Sequence, residues 1–169
     1  MQVLIIRHAP AEDREEFAGS GQSDDLRPLT QRGKEKMRQN VAGLLTIVPQ
    51  IDRIVESPLI RAQQTGGLVA STYSNVIRQT LPALAPNGSE SEVLTYLQKY
   101  ADTTTTIALV GHEPNLGELA TWLLSGQADN WIPLKKGSAC LLEFPGEVKA
   151  GKAELLWMLR PKQLRQLAG

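Results

Sequence analysis

The sequence predicts an α/β fold, a three-layer α/β/α arrangement around a mainly parallel central sheet. Three observations predict it. Short, continuously apolar runs, Val3-Leu4-Ile5-Ile6 and Ile107-Ala108-Leu109-Val110, read as strands buried on both faces. Between them lie stretches whose apolar residues recur at helical spacing, as in Met37, Val41, Leu44, Leu45 and Val48. The strand-like runs end in helix-start signals, Ser57-Pro58 and His112-Glu113-Pro114. Strands alternating with helices favour a parallel sheet covered on both faces.

The elements follow in order. Gln2 to Ile6 is the first strand, and the polar stretch from Ala11 to Arg27 is a surface loop with a helical turn near Glu15 and Phe17. Thr30 is placed to cap a helix that Pro49 ends. Asp52 to Glu56 is a second strand, and Ser57 with Pro58 at the first helical position opens the next helix, carrying Leu59, Ile60, Ala62 and Leu68. A weaker strand is expected at Val76 to Arg78, then a turn at Pro86-Asn87-Gly88. Ser89 and Glu92 form a capping box for a helix lined by Val93, Leu94, Leu97 and Tyr100. Strand Ile107 to Val110 leads to a helix with Pro114 at its first position and Leu116, Leu119, Ala120, Leu123 and Leu124 on its apolar face. Gln127 to Gly137 reads as a loop, and two late strands, near Ala139 to Phe144 and Ala153 to Leu159, as a hairpin closing the sheet.

The 169 residues suit one domain, with no repeat, linker or low-complexity tract. A formal net charge of zero argues against a general nucleic-acid binder but not against a local basic pocket. The lone cysteine, Cys140, excludes an internal disulfide and reads as a small buried hydrophobe. No run is long enough to cross a membrane and the N-terminus lacks the marks of a signal peptide, so a cytoplasmic protein is expected.

Three strand-to-helix junctions hold the candidate chemistry: Arg7-His8, Ser57 with Arg61, and His112. In a parallel sheet such junctions lie along one edge, where ligands bind. Two histidines and two arginines converging there suit a phosphoryl group. Guanidinium forks match its oxygens, helix N-termini add partial positive charge, and one imidazole can attack phosphorus while the other stabilises the transferring group. The nucleophilic imidazole must be neutral, with its second nitrogen donating to an acceptor such as a backbone carbonyl. A zinc site is not expected: His112-Glu113 starts an H-E-x-x-H pattern, but its closing position is Leu116.

Arg7-His8-Ala9, Ser57-Pro58-Leu59-Ile60-Arg61-Ala62-Gln63-Gln64-Thr65 and Gly111-His112 together resemble the histidine phosphatase superfamily, which is phosphoglycerate mutase-like in fold. Arg27-Pro28-Leu29-Thr30-x-x-Gly33, His112-x-Pro114 and the compact length resemble its small SixA-type phosphohistidine phosphatases. The resemblance implies that His8 is the nucleophile that becomes phosphorylated. It implies that Arg7 and Arg61 bind the phosphoryl oxygens and that His112 completes the pocket. Ser57 either contributes its hydroxyl or only caps its helix; Arg27 either reaches the pocket rim or is a solvated loop arginine. No cofactor is implied.

The sequence departs from the family where many members place an acid after the middle strand to protonate the leaving alkoxide. Here that region reads Leu84-Ala85-Pro86-Asn87-Gly88, with no carboxylate before Glu90. Asp24 is the candidate proton donor, and Glu90 and Glu92 are weaker ones. Imidazole, with a conjugate-acid pKa of roughly 6.5, needs less help to leave than an alkoxide, whose conjugate acid lies nearer water's value of about 15.7. The expected substrate is therefore phosphohistidine on a protein such as a phosphotransfer domain. The alternatives are a small phosphorylated molecule or a phosphate-binding module without turnover.

Overall fold

The structure, a computed structural model, describes residues 1–101 and 105–169. Strand β1 (Gln2–Arg7) is followed by the short helix α1 (Arg14–Ala18) and then by α2 (Gln31–Ile47). Next come β2 (Arg53–Glu56), α3 (Ile60–Ala70), β3 (Ile77–Thr80) and α4 (Glu90–Gln98). The chain continues through β4 (Thr106–Gly111), α5 (Asn115–Ser125), the hairpin β5 (Ala139–Glu143) and β6 (Glu154–Leu159), and α6 (Pro161–Leu167).

The six strands form one sheet in the order β3-β2-β4-β1-β5-β6. β1, β4, β2 and β3 are parallel; β5 pairs antiparallel with β1 and with β6. Alternate side chains of each strand point to opposite faces, which builds two cores. On one side Val3, Ile5, Ile107, Leu109 and Leu142 pack with Val93 and Leu97 of α4 and Leu116, Leu119 and Leu123 of α5. On the other, Leu4, Ile6, Ile54, Ala108 and Leu141 pack with Met37, Val41 and Leu44 of α2, Ala62 and Val69 of α3, and Leu164 of α6. The consecutive apolar runs of β1 and β4 exist because both of their faces are covered. This is the predicted three-layer fold, and Cys140 is buried in β5.

Several local readings shift. Thr30 caps α2 as expected, accepting from the Gly33 N–H. The third helix begins at Ile60 with Leu59 as its flanking residue, so Ser57-Pro58 precedes it rather than opening it. Pro114 likewise sits just outside α5. Ser89 accepts from the Glu92 N–H at 3.4 Å, and Pro82–Leu84 forms a single 3₁₀ turn. Helix α6 is not signalled by periodicity because Leu164 is its one buried residue. Its backbone packs directly on α2, where a Cβ at Gly43 would meet the Leu164 carbonyl oxygen at 1.7 Å.

The order of the sheet sets the site. The chain steps outward from β1 to β2 and β3, then returns to insert β4 between β2 and β1. This reversal leaves a crevice at the carboxyl ends of β1, β4 and β2, the usual place for a ligand in such sheets. Register aligns Arg7 with Gly111 and Glu56 with Val110, so His8, His112 and Ser57 emerge side by side.

Candidate active site

A cavity of about 480 Å³ lies over this crevice, lined by Arg7, His8, Arg27, Arg61 and His112 among others. Its floor is buried: His8 is 5% exposed, and Arg61 and His112 are 3% exposed each. Its rim, with Glu12, Asp13, Arg14, Pro86 and Lys136, is exposed.

His8 leaves β1 with its N–H donating to the Gly111 carbonyl. The following segment is held by the start of α2: the Thr30 N–H donates to the Pro10 carbonyl, and Ala11 bridges to Leu29. Gly33 permits that approach, since a Cβ there would meet the Pro10 oxygen at 2.1 Å. The His8 ring lies with Nδ1 2.7 Å from the Ala9 carbonyl oxygen. A carbonyl only accepts, so Nδ1 carries the proton and donates, which leaves Nε2 with its lone pair. This is the tautomer the nucleophile requires.

His112 packs beside it, the ring centroids 5.1 Å apart. Its Nε2 lies 2.7 Å from Ser57 Oγ, whose oxygen accepts from the Leu59 N–H at 3.3 Å and whose proton is free to go to Nε2, leaving the ring proton on Nδ1. Ser57 thus closes a turn just before α3 and is a direct partner of His112. Burial, and then the charges of Arg61 and Arg7, bring the His8 imidazolium down to about 4 against the opposing bond to Ala9. Burial, then His8, Arg61 and Arg7, bring His112 down to about 3. Both rings are neutral at physiological pH.

That depression predicts a pH dependence. Between about 6.5, where free imidazoles titrate, and about 4, the unfolded chain binds protons that His8 and His112 in the folded chain refuse. Their contribution to stability is full above the unfolded value and declines as pH falls through this window. We expect denaturant midpoints to fall across it, and both imidazole NMR signals to titrate well below pH 5. Signals titrating near 6.5 would contradict the burial and charge argument.

Arg61 enters from the first turn of α3. Its Nη1 donates to the Asp24 carbonyl at 2.9 Å and its Nη2 pairs with Asp24 Oδ2 at 3.1 Å. Arg27 is buried, not solvated: its Nε donates to Asp24 Oδ1 at 2.7 Å and its Nη1 to the Glu12 carbonyl. Arg14 reaches the same carboxylate at 3.5 Å. Burial raises the Asp24 carboxyl, but the bonds and charges of Arg27, Arg61 and Arg14 outweigh it and hold it at about 2. This corrects the expectation for Asp24. A carboxylate ionised at neutral pH and shared by three arginines organises the cations and has no proton to give. Glu90 and Glu92 do not line the cavity.

Three buried nitrogens here, Arg7 Nε, Arg61 Nε and His112 Nδ1, have no hydrogen-bond partner within the protein. Such groups are rare unless a ligand or solvent satisfies them. All three belong to side chains of the one cavity, and the two guanidiniums are donors only, a chemistry that fits an oxyanion.

Sequence reasoning missed three participants. Lys136 adds a cation at the rim; burial, then Arg7, Arg27 and Arg61, lower its pKa. Glu113 lines the cavity with its carboxyl raised by burial, against the Leu134 N–H and Arg7. Leu134 accepts from Arg7 Nη1 at 2.7 Å. The pattern His112-Glu113 does flag that acid, but as a failed zinc motif. Among the described residues, no three or more His, Cys, Asp or Glu side chains are grouped to hold a metal ion, and no helix is long and apolar enough to cross a membrane.

Comparisons with known proteins agree with this geometry. Residues 3–85 match the profile of the histidine phosphatase superfamily (branch 1). The chain is 34% identical over 137 residues to an uncharacterized protein of Picosynechococcus, covering 80% of this chain and 81% of that one. It is 28% identical over 167 residues to the phosphohistidine phosphatase SixA of Escherichia coli, covering 98% and 97% of the two. Among solved structures, the protein histidine phosphatase SixA complexed with tungstate superposes with a TM-score of 0.80 at 27% identity, covering 97% of this chain and 99% of that one. The chain is a SixA-type member of the histidine phosphatase superfamily.

Proposed function

We propose that this phosphatase hydrolyses phosphohistidine on proteins, through a covalent phospho-His8 intermediate and without a metal. The observation that carries the reading is the His8 ring itself, with Nδ1 tied to the Ala9 carbonyl and Nε2 basic beside the arginines of the cavity. Nε2 attacks phosphorus, a His8 N–P bond forms, and the N–P bond to the substrate imidazole breaks. The substrate imidazole, protonated on its other ring nitrogen, leaves as neutral imidazole and needs no proton at the departing nitrogen. Water then attacks phospho-His8, the new N–P bond breaks, and inorganic phosphate leaves with the water's oxygen. Arg7 and Arg61 neutralise the phosphoryl oxygens in both steps, Arg27 and Lys136 add positive potential, and His112, braced by Ser57, donates to the transferring group.

Substrate choice follows from proton supply. Pro86 lines the cavity after the middle strand, and Glu113, the acid that lines it beside His112, is engaged at Oε1 by the Leu134 N–H. Asp24 and Asp13 are both held ionised, Asp13 by the N–H groups of Glu16 and Glu15 that it caps. A site with no dedicated donor favours a leaving group that departs without one, and imidazole is such a group. The exposed rim lets a side chain on another protein's surface reach the floor. The name of the Escherichia coli relative, a phosphohistidine phosphatase, supports the same choice.

The test is phosphate release from a purified phosphohistidine-bearing phosphotransfer domain in the presence of chelator, with a sugar phosphate as competitor. Loss of the protein-bound phosphate at a rate the chelator does not change is expected. Turnover of the sugar phosphate alone would move the reading to small molecules; turnover of neither would leave a phosphate-binding module.

A further inference from the structure

The loop that precedes β5 is tied to the cavity through Leu134 and Gly137. Leu134 donates its N–H to Glu113 Oε1 at 3.0 Å and accepts at its carbonyl from Arg7 Nη1 at 2.7 Å. Its side chain is 2% exposed and locked in the core beside α5, so the peptide cannot drift without disturbing packing. Two residues on, Lys136 lines the cavity. The Gly137 N–H then donates to the carbonyls of both Arg7 and His8 at 3.1 Å. The Leu134–Gly137 segment therefore touches the Arg7 side chain, the backbone of the nucleophile and a rim cation. Glu113 is its side-chain anchor on the His112 side.

We propose that Glu113 is a positioning residue for Arg7, acting through the Leu134 peptide. The carboxylate fixes the Leu134 N–H, which sets the direction of the Leu134 carbonyl, which in turn holds one arm of the guanidinium and leaves the remaining donors for an oxyanion. Arg7 is only partly satisfied by protein: its Nε is buried without a partner. A fork whose one arm is fixed offers the rest at a defined angle, and small displacements of such groups have large effects on oxyanion binding. Glu113 also faces Arg7 electrostatically, and the Asn130 side chain and the Gly117 N–H act on the same carboxyl. The inference rests on the phosphoryl-site reading but not on which phosphorylated compound is the substrate.

Two substitutions separate the hydrogen bond from the charge. Glu113→Gln keeps an oxygen that can accept from Leu134 and loses the charge. Glu113→Asp keeps the charge and is one methylene too short for the bond. Orthovanadate affinity of each full-length variant, followed by intrinsic tryptophan fluorescence, reads the oxyanion site without any substrate. Glu113→Asp and Glu113→Ala are expected to weaken vanadate binding about 10- to 100-fold, with Glu113→Gln restoring most of it. On an Arg7→Ala background the same changes should cost little more, since they act through that side chain. The proposal is overturned if Glu113→Asp binds as wild type while Glu113→Gln does not, or if the Arg7→Ala background leaves the losses undiminished. It is overturned as well if Glu113→Gln binds vanadate normally yet loses turnover as fully as Glu113→Ala, because that result assigns Glu113 to proton delivery. Wild type that fails to bind vanadate removes the phosphoryl-site reading itself; wild type that binds beside unimpaired variants removes only the role of Glu113.

Discussion

Replacing His8 with alanine is expected to lower turnover of a phosphohistidine substrate by about 10⁴-fold or more and to eliminate any phosphorylated form of the enzyme. The size follows from the role. A nucleophile removed takes with it the two-step route, and what survives is the pocket's electrostatic help to direct attack by water. The fold should tolerate the change, because the ring's contacts are the local Ala9 carbonyl and the face of His112 rather than the main core. Rapid mixing with substrate, an alkaline quench to preserve the acid-labile N–P bond, and intact-mass measurement would show one added phosphoryl group on wild type and none on the variant. A phosphorylated His8→Ala enzyme would move the nucleophile to another residue, with His112 the first to test. Turnover within about tenfold of wild type, far short of the loss that follows removal of a nucleophile, would end the covalent mechanism altogether.

How far this arrangement can be read from the chain varies with distance along it. Strand-to-helix junctions are local. An apolar run followed by Arg7-His8, or by Gly111-His112, announces both the strand and the residues at its tip, and the rules of parallel sheets gather the tips at one edge. The sequence states only the condition on His8, a neutral ring with its second nitrogen donating; the acceptor that fixes the tautomer, the Ala9 carbonyl, comes from the folded chain. What local pattern does not carry is which partner a polar side chain finds across the fold. Asp24 sits in a polar loop where an acid reads as a free donor; only the folded chain brings Arg14, Arg27 and Arg61 onto one carboxylate. The segment from Gln127 to Gly137 has no periodicity to read, yet it delivers Leu134 to Arg7 and Lys136 to the rim. Helix α6 escapes for a related reason: one buried leucine in seven residues leaves no stripe, and its stability comes from lying against α2.

Removing Arg61 is expected to produce the second largest loss, about 10²- to 10³-fold in kcat, and Arg61→Lys is expected to recover little of it. Arg61 does two things at once. Both Nη atoms engage Asp24, through its carbonyl and its carboxylate, while Nε remains as a buried donor in the cavity. A lysine carries the charge as a single point and cannot divide itself between a carboxylate on one side and a phosphoryl oxygen on the other. Alanine goes further, because it withdraws a cation from Asp24 and leaves that carboxylate, behind Arg14 and Arg27 at the cavity wall, less compensated against the incoming dianion. The remaining arginines are then drawn toward Asp24 instead of being free for substrate. The distinguishing measurement is the split between kcat and KM in Arg61→Ala, Arg61→Lys and the double variant Arg61→Ala with Asp24→Asn. If Arg61 stabilises charge that develops during transfer, kcat falls along with kcat/KM, and neutralising Asp24 returns part of the loss by lifting the repulsion. A rise in KM at unchanged kcat would mean that Arg61 only binds the ground state. Full activity in Arg61→Lys would show that charge alone suffices and that the fork shared with Asp24 is structural.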